Sequence, residues 1–259
     1  MWKTAITKIE NEKIFVRGYE LTELMESCTF GDIVLLMATG KMPHLHQGKL
    51  MEAILVSCCD QGPLPPSTNA ARFVASCGVP LQAAVAAGIL GFGDHHGGAI
   101  ESCAKLLQEK VASAEKDKID RIADDTISEF AAKKDRLPGF GHAYLEVDPR
   151  AEKLLQIARK HISPHRHIDL LQALEERLIQ EKGRHLAANI NGAVAAAISD
   201  LGVDWQMGRG IFIISRSLGL IVHALEEMKL EKPYKKVSIE DMEYIGPEEK
   251  EVPIRLEPS

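Results

Sequence analysis

The chain has 259 residues, 45% hydrophobic and 26% charged, a composition typical of globular proteins and unlike that of disordered or fibrous ones. Its 31 Lys and Arg against 37 Asp and Glu give a net charge of −6, which argues against a nucleic-acid or anionic-membrane binder. The five cysteines form no CxxC pair, so neither a disulfide framework nor a metal site is expected. No apolar leader follows Met1, and no apolar run is long enough to span a bilayer, which favours a cytoplasmic location.

The first half of the chain predicts a helical array. Residues 13–19 alternate enough for one strand or an extended arm, the only clear β signal. Apolar residues then recur at three- and four-residue spacing, with Ser67 expected as the N-cap of one helix. The predicted helices cover residues 20–26, 32–39, 47–56, 67–76, 81–90 and 99–112.

The second half begins with a charged stretch, residues 109–136, that predicts an exposed amphipathic helix. Further helices are predicted over residues 150–161, 168–180, 193–201 and 211–228. We expect a smaller domain over residues 104–186 and a larger helical domain formed by residues 1–103 and 187–259. The Ala-rich faces at 83–87 and 193–197 are apolar enough to predict a homodimer or a higher oligomer.

Two segments combine glycines with histidine. His95 and His96 lie between glycines directly before a helical pattern, where a histidine can donate to a carbonyl oxygen that becomes anionic. The simpler interpretation is that both residues cap a turn. The run Pro138-Gly139-Phe140-Gly141-His142 precedes Asp148-Pro149-Arg150, which suggests a pocket for a carboxylate and a carbonyl, although that triplet alone is also a plain helix cap.

Two further segments carry positive charge. Lys182 and Arg184 precede a helix start, which suits phosphate groups, although a solvated basic loop is the commoner explanation. Arg216 lies inside an otherwise apolar helix, where an unpaired charge is costly. It therefore needs an anionic partner, which could equally be a structural carboxylate or that of a substrate.

These segments together resemble the citrate synthase superfamily, and most closely its short members, the citryl-CoA lyases. Residues 96–99 with Glu101 are similar to the family's "HGGANE" signature, and residues 138–142 with 148–150 are similar to "PGFGH … DPR". Residues 215–219 are similar to "SRALG". The motifs occur in family order and the match runs nearly end to end, which outweighs the simpler interpretation of each motif.

The resemblance implies an all-α, citrate synthase-like fold with the active site between a large and a small domain, completed by a second subunit. It implies that His96 bonds the thioester carbonyl and its enol, and that His142 polarises the keto oxygen of oxaloacetate. Arg150 and Arg216 would hold carboxylates. Lys232 or Lys235 would stand where a partner-subunit arginine normally reaches in.

Coenzyme A, present as the thioester substrate or product, would lie against the backbone of residues 137–141, thus including Pro138, Gly139, Phe140 and Gly141. Lys182 and Arg184 would lie near its phosphates. The expected partners are a second copy of the chain and a citryl-CoA synthetase, with no nucleic acid, membrane or metal.

Two positions depart from the family pattern. Asn191 replaces the aspartate of "NVDG", and an amide cannot exchange the methyl proton of acetyl-CoA. Gln61 replaces the histidine of "DHG" but can still bind a substrate carboxylate through hydrogen bonds. Asp94, beside the histidines, is the nearest alternative proton donor in the sequence.

The sequence therefore predicts cleavage of citryl-CoA to acetyl-CoA and oxaloacetate by a retro-Claisen reaction. Two alternatives stay open: condensation, as in citrate or methylcitrate synthesis, and a catalytically weak homologue that binds CoA or citrate, which the Asn191 departure favours.

Overall fold

The computed structural model describes residues 1–113, 118–141, 147–182 and 186–252, without the side chain of Lys182. A small antiparallel sheet opens the chain, in the order β1 (Thr7–Glu10), β2 (Lys13–Val16) and β3 (Tyr19–Glu20). The sequence predicts a single strand over residues 13–19, and β1, which pairs with β2, is absent from that prediction. All four of its residues are exposed, which leaves it without the buried face that makes a strand recognisable.

Helices account for most of the remaining described chain, and the all-α expectation is confirmed. A short 3-10 turn covers Trp205–Met207, and another covers Ile239–Asp241. The helices are α1 (Leu21–Ser27), α2 (Phe30–Thr39), α3 (Leu45–Cys58), α4 (Pro66–Ala75), α5 (Leu81–Leu90), α6 (Ala99–Ala112), α7 (Ile119–Lys133), α8 (Pro149–His161), α9 (Arg166–Lys182), α10 (Ile190–Asp200) and α11 (Gly208–Leu230).

Local sequence explains where several of these helices begin and end. The Thr29 hydroxyl accepts from the Asp32 N–H, and the Asp32 carboxylate accepts from the Thr29 N–H, a capping box that starts α2. Gly40, with φ of 73°, ends the same helix in the left-handed conformation. The predicted cap of α4 is wrong: Pro65 precedes that helix, and Ser67 lies inside it.

Helix α10 lies at the centre of the core. Its residues 193–198 are 0% exposed, and it packs against α6, α8 and α9. The side chains of residues 193–197 are therefore buried within one subunit, and none of them is exposed for contact with a second copy. Helix α5 differs, because only Ala84 and Gly88 are buried and the rest of its apolar surface is partly or fully exposed.

A single hydrophobic cluster joins helices from both predicted domains. It includes Leu50 and Ile54 of α3 together with Leu154 of α8 and Leu170 of α9. Helices α4 and α5 pack against each other and against α11. No described helix is both long and apolar enough to cross a membrane.

Candidate active site

His96 is held by a hydroxyl and two aromatic rings. Its Nε2 lies 2.8 Å from Ser67 Oγ, and its ring contacts Phe92 and Phe212 at centroid distances of 5.5 and 6.0 Å. Burial, and then the positive charge of Arg216, lowers the pKa of His96 below its ordinary value. His96 is therefore neutral near pH 7, and Ser67, 0% exposed, fixes one of its ring nitrogens.

The glycine after His96 lets this ring sit close to α11. Gly97 has φ of 87°, a conformation that L side chains rarely adopt. A Cβ at this position would lie 2.9 Å from the Phe212 ring. The glycine is thus required both by the backbone turn and by packing.

Arg216 has a buried charge with an unused donor. The residue is 2% exposed, its Nε donates to Cys58 O at 2.8 Å, and its guanidinium lies 4.9 Å from the centre of the Phe212 ring. The Nη1 atom is buried and has no hydrogen-bond partner among the described residues. An unsatisfied buried guanidinium nitrogen is costly, so an anionic ligand that accepts from it is strongly favoured.

Arg150 is paired within its own helix cap. Its Nε and Nη2 donate to the two oxygens of Asp148 at 3.0 and 2.9 Å, and Asp148 also caps α8 by accepting from the Arg150 N–H. Asp148 therefore both caps α8 and pairs with the arginine that the sequence predicts to bind a carboxylate. Burial lowers the pKa of the Arg216 guanidinium, and the nearby charge of Arg150 lowers it further.

The start of α10 and the loop at 138–141 are bound to each other. Asn189 caps α10 through its Oδ1, and its Nδ2 donates to Gly141 O at 2.6 Å. The backbone N–H of Asn189 donates to Gly139 O, and that of Gly141 donates to Ala187 O, both at 2.9 Å. These N–H groups are therefore occupied within the protein, while each of the carbonyl oxygens keeps a second lone pair that can accept another hydrogen bond.

Close packing between two glycines fixes that junction. A Cβ at Gly192 would lie 2.5 Å from Gly139 O, and a Cβ at Gly139 would lie 2.7 Å from Cys103 Sγ. Burial raises the pKa of the Cys103 thiol to about 12, so this cysteine acts as a packing group. Asn191, next to Gly192, is thereby held in the first turn of α10.

The remaining predicted residues fall in three groups. His142 and Arg184, with the side chain of Lys182, lie outside the described residues. Gln61 is exposed on the turn after α3. Lys235 is paired with Glu227, with Nζ 2.9 and 2.8 Å from the two carboxylate oxygens, whereas Lys232 is exposed on the arm after α11.

Two other observations bear on the chemistry. The Asp94 side chain is 88% exposed and pairs with Arg209 at 2.9 Å, which argues against it as the replacement proton donor. Within the part of the chain that the structure describes, no group of three or more His, Cys, Asp or Glu residues could hold a metal ion.

The sequence matches a family profile described as "Citrate synthase, C-terminal domain" over residues 45–237. The chain belongs to the citrate synthase family. Its structure is similar to that of citryl-CoA lyase from Hydrogenobacter thermophilus, with a TM-score of 0.90 and 39% identity over 98% of both chains. ATP citrate lyase from Methanothrix soehngenii shares the fold, with a TM-score of 0.85 and 22% identity over 96% of this chain and 42% of that one.

Curated relatives of this citrate synthase family member are longer proteins. A probable ATP-citrate synthase of Dictyostelium discoideum is 25% identical over 252 residues, covering 90% of this chain and 39% of that protein. Citrate synthase of Heyndrickxia coagulans is 29% identical over 226 residues, covering 85% of this chain and 58% of that protein. The chain thus spans less than two thirds of either relative, while the family resemblance predicted from the motifs is confirmed.

Ser67 is a site residue that sequence patterns do not indicate. The residue precedes an apolar run and so predicts a helix cap, and its partner histidine lies 29 residues further along the chain. The pair is recognisable from the partly buried contact between α4 and the loop before α6.

Proposed function

We propose that this chain is a carbon–carbon lyase that cleaves citryl-CoA to acetyl-CoA and oxaloacetate. The observation that carries the proposal is the end-to-end similarity to citryl-CoA lyase from Hydrogenobacter thermophilus, which covers 98% of both chains at 39% identity. The buried Nη1 of Arg216, which has no hydrogen-bond partner in the described part of the chain, lies near the neutral His96 and supports it, because a carboxylated thioester supplies an acceptor for each.

In this reaction the bond between the hydroxyl-bearing carbon and the thioester methylene breaks. The hydroxyl loses its proton and becomes the ketone of oxaloacetate, while the electron pair moves to the methylene and forms the enolate of acetyl-CoA. A proton then returns to that carbon. We assign His142 to the substrate hydroxyl and keto oxygen, and His96 to the thioester oxygen on which negative charge develops.

We assign the Ser67 hydroxyl as the donor in its hydrogen bond with His96 Nε2. When the Ser67 hydroxyl donates to Nε2, the neutral ring carries its proton on Nδ1 and can hydrogen-bond the enolate oxygen. Arg150, Arg216 and Gln61 would bind the substrate carboxylates.

We assign coenzyme A to the surface formed by the residues 138–141 loop, with Lys182 and Arg184 near its phosphates. The enzyme would act in the cytoplasm as a homodimer or higher oligomer, with Lys232 of one copy reaching the site of another. A citryl-CoA synthetase would be its partner, and residues 104–186 would form the smaller domain. No metal takes part in the proposed chemistry.

Asn191 supports a second candidate, a homologue that binds CoA or citrate with little turnover, because an amide is no acid near neutral pH. Incubation with citryl-CoA, following acetyl-CoA and oxaloacetate, together with calorimetry of CoA binding, separates the candidates. Equal amounts of both products support the lyase. CoA binding without products supports the second candidate, and citrate formation from acetyl-CoA and oxaloacetate, with release of free CoA, supports condensation.

A further inference from the structure

The end of α3 runs along one face of α11, and two hydrogen bonds join them. Ser215 Oγ donates to Leu55 O, and one residue later Arg216 Nε donates to Cys58 O at 2.8 Å. These two bonds fix the position of Arg216 relative to the end of α3. The turn that carries Gln61 begins two residues after Cys58.

The same face of α11 continues this contact past Arg216. A Cβ at Gly219 would lie 2.5 Å from Cys59 O and 3.0 Å from Asp60 Oδ1, so the turn approaches the helix as closely as glycine permits. One turn further along α11, His223 Nε2 lies 3.1 Å from Asp60 Oδ1. The His223 side chain is 14% exposed and that of Asp60 43% exposed, so the contact lies at the protein surface with the histidine as its more buried member.

Asp60 uses its two oxygens for different purposes. Oδ1 faces His223, while Oδ2 accepts from the Gly62 N–H at 2.9 Å and so closes a turn around Gln61. Gly62 has φ of 67°, which suits the tight return of the chain. The orientation of the turn relative to α11 therefore depends on where the Asp60 carboxylate is held.

We propose that Asp60 and His223 are positioning residues that hold the Gln61 turn beside Arg216. The inference rests on the proposed function in one respect, namely that Gln61 and Arg216 bind substrate carboxylates. Without the His223 contact, the Asp60 carboxylate can leave the α11 face and carry Gln61 with it. Citrate then loses the hydrogen bond that the Gln61 amide donates to its carboxylate, while the coenzyme A surface is unaffected.

Calorimetry of citrate and of CoA binding tests this with matched variants. His223→Leu should weaken citrate binding about tenfold, the usual scale for losing one charge-assisted hydrogen bond, and leave CoA binding unchanged. His223→Gln, whose amide can still donate to Asp60, should restore most of the affinity. His167→Leu is the control, because His167 of α9 forms a histidine–carboxylate pair at 2.8 Å with Asp200, at the end of α10, and should leave citrate binding unchanged.

Measurements in a chain that already carries Gln61→Ala distinguish a positioning role of His223 from a general structural role. If His223 acts through Gln61, His223→Leu should cause no further loss of citrate affinity in a Gln61→Ala chain, although it lowers thermal stability equally in both. An undiminished loss in that background, an equal loss of CoA affinity, or failure of His223→Gln to restore binding overturns the proposal. So does a parent chain that binds no citrate. A chain that binds citrate with this pattern but never cleaves citryl-CoA refutes the proposed function alone.

Discussion

Glu227 gives the most quantitative stability prediction, because its carboxylate is buried and joins three parts of the chain. Its side chain, 1% exposed, accepts from Arg72 Nε of α4 at 2.6 Å and from Lys235 Nζ of the arm after α11. The arm is fixed again where the Lys235 N–H donates to Ser76 Oγ at 3.0 Å. Glu227→Gln removes the charge while keeping the side-chain size.

The expected loss follows from the exposure of the partners. Breaking a fully buried ion pair costs about 3–5 kcal/mol, because a charge is left uncompensated. Here the Arg72 and Lys235 side chains are 14% and 36% exposed and can recover some hydration. We therefore expect Glu227→Gln to lower the free energy of unfolding by about 2–3 kcal/mol.

Denaturant unfolding at pH 7 measures this loss, and Glu226→Gln is the matched control. Glu226 contacts the same Arg72 at 3.4 Å but is 49% exposed, so its removal should cost under about 1 kcal/mol. Trypsin should also cut after Lys235 faster in Glu227→Gln. Equal losses for the two variants, or an unchanged cleavage rate, would refute this account of the arm.

The pH dependence of the same pair has a definite sign. Burial alone would raise the pKa of Glu227, but Lys235 and Arg72 outweigh it and hold the pKa below the ordinary value of 4.5. The stability from this carboxylate is therefore full above pH 4.5 and is lost as pH falls through the folded-state value. The difference between parent and Glu227→Gln should shrink accordingly in acid.

Three other predictions concern the site and its assembly. Ser67→Ala should lower kcat for citryl-CoA about tenfold with little change in KM, because His96 loses the group that fixes its proton; an unchanged kcat would contradict this. Light scattering at micromolar concentration should show at least a dimer, and Leu218→Lys, on an exposed apolar α11 stripe, should weaken it; a monomeric parent would contradict this. Replacing Lys182 and Arg184 by Ala should weaken CoA binding, most at low salt, and leave citrate binding nearly unchanged; an unaltered CoA dissociation constant would contradict the assignment.

Sequence patterns predicted most helices because apolar spacing is a local property. The end of α5 at Leu90 and both ends of α6 agree with prediction, since glycines and prolines separate these helices. The same patterns could not distinguish residues 193–197, wholly buried in one subunit, from residues 83–87, which stay partly exposed. Both runs are alanine-rich, and only the packing around them differs.

In the site, too, residues within local motifs are predictable from the sequence, whereas contacts between distant residues are not. The motif residues His96, Arg150 and Arg216 were predicted from sequence. In the structure the charge of Arg216 is near enough to lower the pKa of His96, and that of Arg150 near enough to lower the pKa of Arg216, although burial contributes more to both shifts. The Asp60 and His223 contact was not predictable, because its partners are 163 residues apart. Distant pairs of this kind depend on how helices pack, which no local pattern records.

The proposal is that this chain cleaves citryl-CoA and that Asn191 limits the rate. Its most direct test compares citryl-CoA cleavage by the parent chain and by Asn191→Asp under saturating substrate. We expect slow formation of acetyl-CoA and oxaloacetate by the parent and a rate about 10²–10⁴ higher for the variant, the usual contribution of a general acid–base group. Cleavage by neither protein, while both bind CoA, would contradict the account. An Asn191→Asp rate no higher than that of the parent would remove Asn191 as the limiting group.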